Sequence, residues 1–202
     1  MTISLPLPVE IVSQSAQLDV AVQAMAGSRA IALDTESNSF HHYPEQLCLI
    51  QIATCHKVHI IDTISLKELV PLKEVLVDDS IKKVVHGADY DIRSLDRHYG
   101  FRIRNLYDTN IAARFAGITQ FGLAALIKDL LGVTIHKSKR LQRTDWGRRP
   151  LSLTPSTTPS PTSATASPCE RLWINDSKPW GGRHGLPKSA LGSKRCDIPH
   201  QI

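Results

Sequence analysis

The chain has little cysteine, few aromatic residues and no long apolar run. Its four cysteines, Cys48, Cys55, Cys169 and Cys196, form no CxxC pair and no metal-finger spacing. Zinc modules and disulfide scaffolds are therefore poor descriptions of it. Cys48 and Cys55 fall in strand-like sequence and read as buried free thiols of a reducing compartment. No apolar stretch approaches the roughly 20 residues needed to span a bilayer. Met1 to Glu10 lacks the basic start and long apolar core of a secretory signal. The expectation is a cytoplasmic protein with no membrane contact, and no protein partner is read from the sequence. Tyrosine is also scarce, and none occurs after Tyr107.

What is present is a 202-residue chain with 42% apolar content, enough for one core and a tail. The formal net charge of +5 permits an acidic partner such as nucleic acid without requiring one. Ser15 to Ala26 has helical spacing, stopped by Gly27. Ala30–Thr35, Gln46–Ala53 and Lys57–Asp62 read as three strands of an antiparallel meander. Leu66–Val77 reads as a helix with Pro71 near its start or at a kink. Ile81–His86 is a short strand and Ala88–Tyr99 a helix closed by Gly100. Leu106–Thr109 feeds a helix through Phe115, and Gly122–Leu131 is another, ended by Gly132. The pattern predicts an α/β fold with a mixed sheet flanked by helices.

Two carboxylates, Asp34 and Glu36, close the apolar run Ala30-Ile31-Ala32-Leu33. Residues i and i+2 of a strand share one face, so the two acids lie side by side. Acids held that close repel unless a cation separates them, and oxygen-only ligands favour magnesium or manganese. A strand end dipping into solvent would also tolerate both. A second group is His86-Gly87-Ala88-Asp89-Tyr90-Asp91, where a strand ends, a glycine turns and a helix starts. Acids in a first helical turn are favoured by the helix dipole alone, but the carboxyl end of a sheet strand is also where ligands bind. His86 reads as capping this turn.

Lys137, Lys139, Arg140, Arg143, Arg148 and Arg149 surround Trp146. They are either phosphate contacts or a solvated basic face. Arg143, Arg148 and Arg149 are the candidates for nucleic-acid binding, and Trp146 reads as a packing anchor. His41 and His42 follow the first acid pair in a loop and are left outside the site.

In this order the blocks resemble the ribonuclease D group of the DEDD 3′–5′ exonucleases, over roughly Ile31 to Ser152. Asp34-Thr35-Glu36 with Gln46 to Ile52 is similar to the first motif. His86 to Ile92 is similar to the second, whose last aspartate falls on Asp91. Asp145-Trp146-Gly147-Arg148-Arg149-Pro150-Leu151 is similar to the stretch before the third. The resemblance implies a ribonuclease H-like sheet, incomplete at its C-terminal side, and two magnesium or manganese ions about 3.5–4 Å apart. It implies Asp34, Glu36 and Asp91 as metal ligands and catalytic residues. It also implies hydrolysis of single-stranded RNA from the 3′ end in RNA and tRNA processing. A DNA exonuclease or an inactive nucleic-acid-binding remnant are the alternatives.

The third motif, Tyr-x-x-x-Asp, should follow Ser152 and does not. Leu153 to Pro168 is Ser/Thr/Pro/Ala-rich, with no charge and no aromatic residue. The expected organisation is an incomplete exonuclease domain over 1–152 and a low-complexity, disordered tail over 153–202. Codons exist for Leu153 to Thr165 that, read two bases later, spell Asp-Pro-Val-Asp-Tyr-Ala-Gln-Pro-Asp-Val-Arg-Tyr. That reading restores the missing pair at the family spacing, so the chain is read as either truncated or changed in frame after Ser152.

Overall fold

The computed structural model describes residues 7–134 and 143–151; the 153–202 segment, Cys169 and Cys196 lie outside them. The expected meander forms the centre of a six-stranded mixed sheet. Its strands are β1 (Val9–Val12), β2 (Ala30–Ser37), β3 (Leu47–Ala53), β4 (Val58–Asp62), β5 (Lys82–Val85) and β6 (Leu106–Asp108), ordered β1-β4-β3-β2-β5-β6. β2, β3 and β4 are antiparallel, while β5 runs parallel to β2, β6 to β5, and β1 to β4. Every residue of β3 is buried, because both faces of the sheet are covered.

The helices are α1 (Ser15–Ala26), α2 (Val70–Val77), α3 (Asp89–Tyr99), α4 (Thr109–Phe115) and α5 (Leu123–Leu131). The main core packs Leu18, Ala21 and Met25 of α1 with Leu72, Val75 and Leu76 of α2 and the strand residues Ile50, Ile52 and Ile61. A second cluster gathers Ala32, Cys48, Leu49, Ala53, Val58 and Ile60 around Trp146. Trp146 is thus a packing anchor, only 4% exposed. Cys48 and Cys55 are free thiols, the first buried and the second half-buried. Among the described residues no helix is long and apolar enough to cross a membrane.

Three differences from expectation exceed one residue. β1 was not foreseen. α2 starts at Val70 rather than Leu66, with Pro71 in its first turn where the missing N–H costs nothing. The residues before it are held as a turn by Asp62, whose Oδ1 accepts from the backbone N–H groups of Ile64 and Ser65 at 3.0 and 3.1 Å. β2 continues to Ser37, with an irregularity between Glu36 and Ser37 that ends its regular pairing with β3.

The junction that matters most joins β5 to α3. Gly87 takes a positive φ of 72°, and Asp108 accepts from the backbone of Gly87 and Ala88, both at 2.9 Å. The same carboxylate caps α4 through Asn110 N–H at 2.8 Å. One side chain thereby fixes the start of α3, and with it Asp91, against the carboxyl end of β2.

Candidate active site

Asp34 and Glu36 occupy the end of β2, with Gln51 of β3 directly opposite Asp34. Gln51 is fully buried and its Nε2 donates to Glu36 Oε1 at 3.3 Å. The backbone N–H of Thr35 donates to Asp34 Oδ1 at 3.1 Å. Thr35 Oγ1 donates to Asp91 Oδ1 at 2.5 Å, which docks the first turn of α3 on β2. Asp91 is 7% exposed. Asp89, two residues earlier, points outward and pairs with Arg93.

The electrostatics are those of crowded acids. Burial, then the neighbouring Asp34, push the Glu36 carboxyl from 4.5 up to about 8; Asp91 adds to this, while Gln51 and Trp146 pull the other way. Burial also raises Asp91, against the hydrogen bonds from Thr35. At pH 7 the folded protein therefore holds a proton on Glu36 that the unfolded chain releases. Stability falls as pH rises through the window from about 4.5 to about 8. Glu36→Gln is expected to stabilise the metal-free protein at pH 7 by about 1–3 kcal/mol, the discounted worth of that shift. It should also flatten the slope, and urea unfolding in EDTA between pH 5 and pH 8 measures both.

These residues suit a hard divalent cation. The donors are carboxylate oxygens, which favour magnesium or manganese. A hydrated cation would discharge the Asp34–Glu36 repulsion. It would also bring water near Gln51 Oε1, a buried oxygen with no hydrogen-bond partner. As they stand, no three His, Cys, Asp or Glu side chains among the described residues are grouped to hold an ion. Asp91 instead accepts from Thr35 Oγ1.

The segment 143–151 lies against this region as a strap. Arg149 reaches inward, its Nε 2.7 Å from Asp62 Oδ2 and its second terminal nitrogen 2.5 Å from Asp62 Oδ1. It also donates to Trp146 O at 2.7 Å. The expected nucleic-acid contact by Arg149 is thus corrected: its fork geometry is committed to a buried carboxylate. Arg148 stays outside, its side chain 87% exposed and 3.4 Å from Asp145. Arg143 is exposed, and its carbonyl accepts from His41 Nε2 at 3.0 Å. Lys137, Lys139 and Arg140 lie outside the described residues. His86 bonds Thr109 Oγ1 at 2.9 Å, a turn-capping role.

Sequence reasoning missed Gln51, Thr35 and Asp108 as supports of the acids. Gln51 had a signal, an amide inside an otherwise apolar strand, where burial demands a partner.

A family model described as a 3′-5′ exonuclease matches residues 9–155, ending where the Ser/Thr/Pro-rich run begins. The exosome complex exonuclease RRP6 of Saccharomyces cerevisiae is 35% identical over 142 residues, covering 70% of this chain and 19% of that protein. Exosome complex component 10 of Rattus norvegicus is 34% identical over 145 residues, covering 71% and 16%. The chain thus spans about a fifth or less of these two relatives. Among solved structures, the catalytic core of RRP6 from Trypanosoma brucei superposes with a TM-score of 0.74 at 27% identity, covering 86% of this chain and 49% of that one. RNase D of Escherichia coli, an exoribonuclease involved in structured RNA processing, gives 0.67 at 28% identity, covering 84% and 47%. With more than half its length matched, and the acids of two motifs set on neighbouring elements, the chain belongs to the 3′-5′ exonuclease family.

Proposed function

We propose that this fold acts on the 3′ end of single-stranded RNA, with Asp34, Glu36 and Asp91 as its metal-binding carboxylates. The observation behind this reading is Glu36, buried beside Asp34 at a cost that a divalent cation would reverse. When bound, a pair of such ions supplies an activated water and a stabilised leaving oxygen. In this reading Asp34, Glu36 and Asp91 would hold the ions, and Glu36 would help orient the attacking water. Arg143 and Arg148 neutralise backbone phosphates outside the acids. RNA is preferred over DNA because Escherichia coli RNase D, matched at 28% identity, is an exoribonuclease involved in structured RNA processing.

The sequence lacks a Tyr-x-x-x-Asp after Ser152, which favours a second reading: a chain that binds RNA ends and cleaves them poorly. The assay that tests the proposal uses a 5′-labelled single-stranded RNA, its DNA counterpart and Mn²⁺. The substrate is shortened stepwise from the 3′ end, RNA faster than DNA, and Asp34→Ala abolishes the shortening. Internal cleavage, or shortening that survives Asp34→Ala, would refute it.

A further inference from the structure

The loop that follows β2 is tied down along its length, yet it holds a bare aromatic ring out to solvent. Asn38, one residue past β2, closes its base. Its N–H donates to Gln46 O at 3.1 Å, and its Oδ1 accepts from Gln46 N–H at 2.7 Å. The backbone N–H groups of His41 and His42 donate to Asn38 O at 2.8 and 3.0 Å. α3 holds the far limb, where Glu45 accepts from the Tyr90 hydroxyl at 2.8 Å and from Arg97 at 2.7 Å. The strap holds the middle, with His41 Nε2 3.0 Å from Arg143 O. Tyr43 sits between these ties and is fully exposed. A ring already fixed in place loses little further freedom when a flat partner stacks on it.

Tyr43 lines a cleft of about 500 Å³ between the loop and the strap, within the roughly 300–1,000 Å³ typical of small-ligand sites. Asn38 and His42 line it on the loop side, and Asp145, Gly147 and Arg148 on the strap side. The two sides are closely spaced, since a Cβ on Gly147 would meet Asn38 Nδ2 at 3.2 Å. The Asp145 carboxylate in the lining repels a phosphate, so the interior favours an uncharged ring. Arg148, 87% exposed and 3.4 Å from Asp145, puts the positive charge at the rim. Asn38 is two residues beyond Glu36, so the cleft adjoins the acids. We propose that this cleft takes one base of a single-stranded RNA, upstream of the 3′ end held at the acids. The base stacks on Tyr43 and its backbone phosphate lies against Arg148. The inference rests on the RNA reading given above. Stacking on an aromatic ring tolerates any base, because every base has a π-face.

The test is binding of a 5′-labelled oligoadenylate RNA to the full chain in EDTA, followed by fluorescence anisotropy over a range of salt, beside its DNA counterpart. The Tyr43 ring is fully exposed, so its removal leaves the core untouched. Tyr43→Ala is expected to weaken RNA binding about 10-fold at every salt concentration, and Tyr43→Phe to retain it. Arg148→Gln should reduce the slope of log K against log salt by about 0.7, the worth of one phosphate contact on a single strand. Unchanged affinity in Tyr43→Ala, or equal weakness in Tyr43→Phe, overturns the stacking. An unchanged slope in Arg148→Gln overturns the phosphate contact. Either failure leaves the RNA reading standing where the unaltered chain binds RNA more tightly than DNA. Equal binding of DNA, with the same loss in Tyr43→Ala, keeps the cleft and overturns the RNA reading. No binding of either overturns both.

Discussion

With Mn²⁺ and a single-stranded RNA, this chain is expected to remove 3′ nucleotides about 10²–10⁴-fold more slowly than the same chain continued after Ser152 in the frame that spells Tyr-Ala-Gln-Pro-Asp. The expectation follows from what three acids leave undone. They supply oxygen ligands, but no Tyr-x-x-x-Asp pair follows Tyr107 to provide the family's fourth carboxylate and tyrosine hydroxyl. A group that positions or deprotonates the attacking water contributes on that order, and loss of a charged ligand weakens one ion of a pair. The family match ends at residue 155, beside the point where the composition changes. Nucleotide sequence across codons 145 to 165 decides whether the alternative frame exists. Equal rates from both chains would show that the third motif is dispensable here.

Arg149→Met should destabilise the protein by about 3 kcal/mol, because it strands Asp62 as an unpaired buried charge. Asp62 has only 3% of its side chain exposed and Arg149 has 21%. Burial alone would raise the Asp62 carboxyl, but the hydrogen bonds from Arg149 and Ser65 outweigh it and hold the group below 3.8. Its contribution is therefore present above the unfolded value near 3.8 and is lost as pH falls through the folded value. Urea unfolding at pH 7 measures the cost. Adding Asp62→Asn to Arg149→Met should recover much of it, since the stranded charge is then gone. A loss below about 0.5 kcal/mol would mean that the pair behaves like an exposed ion pair.

These two cases also show where local sequence stops being informative. Strand and helix identities were legible wherever periodicity and stop signals agreed: the apolar run of β3, and the glycines after α3 and α5, where Gly100 and Gly132 take left-handed φ values of 64° and 69°. The acid pair was legible because strand geometry alone places Asp34 and Glu36 on one face. β1 was not, since four residues on a sheet edge show too little alternation. Arg149 was misassigned because its partner, Asp62, is 87 residues away. Read locally, an arginine beside another arginine looks like a surface cation. Trp146 was rightly placed in the core.

The claim at the centre of this account is that the buried acids of β2 and α3 form a divalent-cation site. The most direct measurement is the stability of the metal-free chain against added Mg²⁺ or Mn²⁺, with Asp34→Ala as control. Binding to the folded state alone adds about 2.7 kcal/mol at a hundredfold excess over Kd. The unaltered chain should gain stability in this way, and Asp34→Ala should not. An equal gain in both proteins, or none in either, would contradict the assignment.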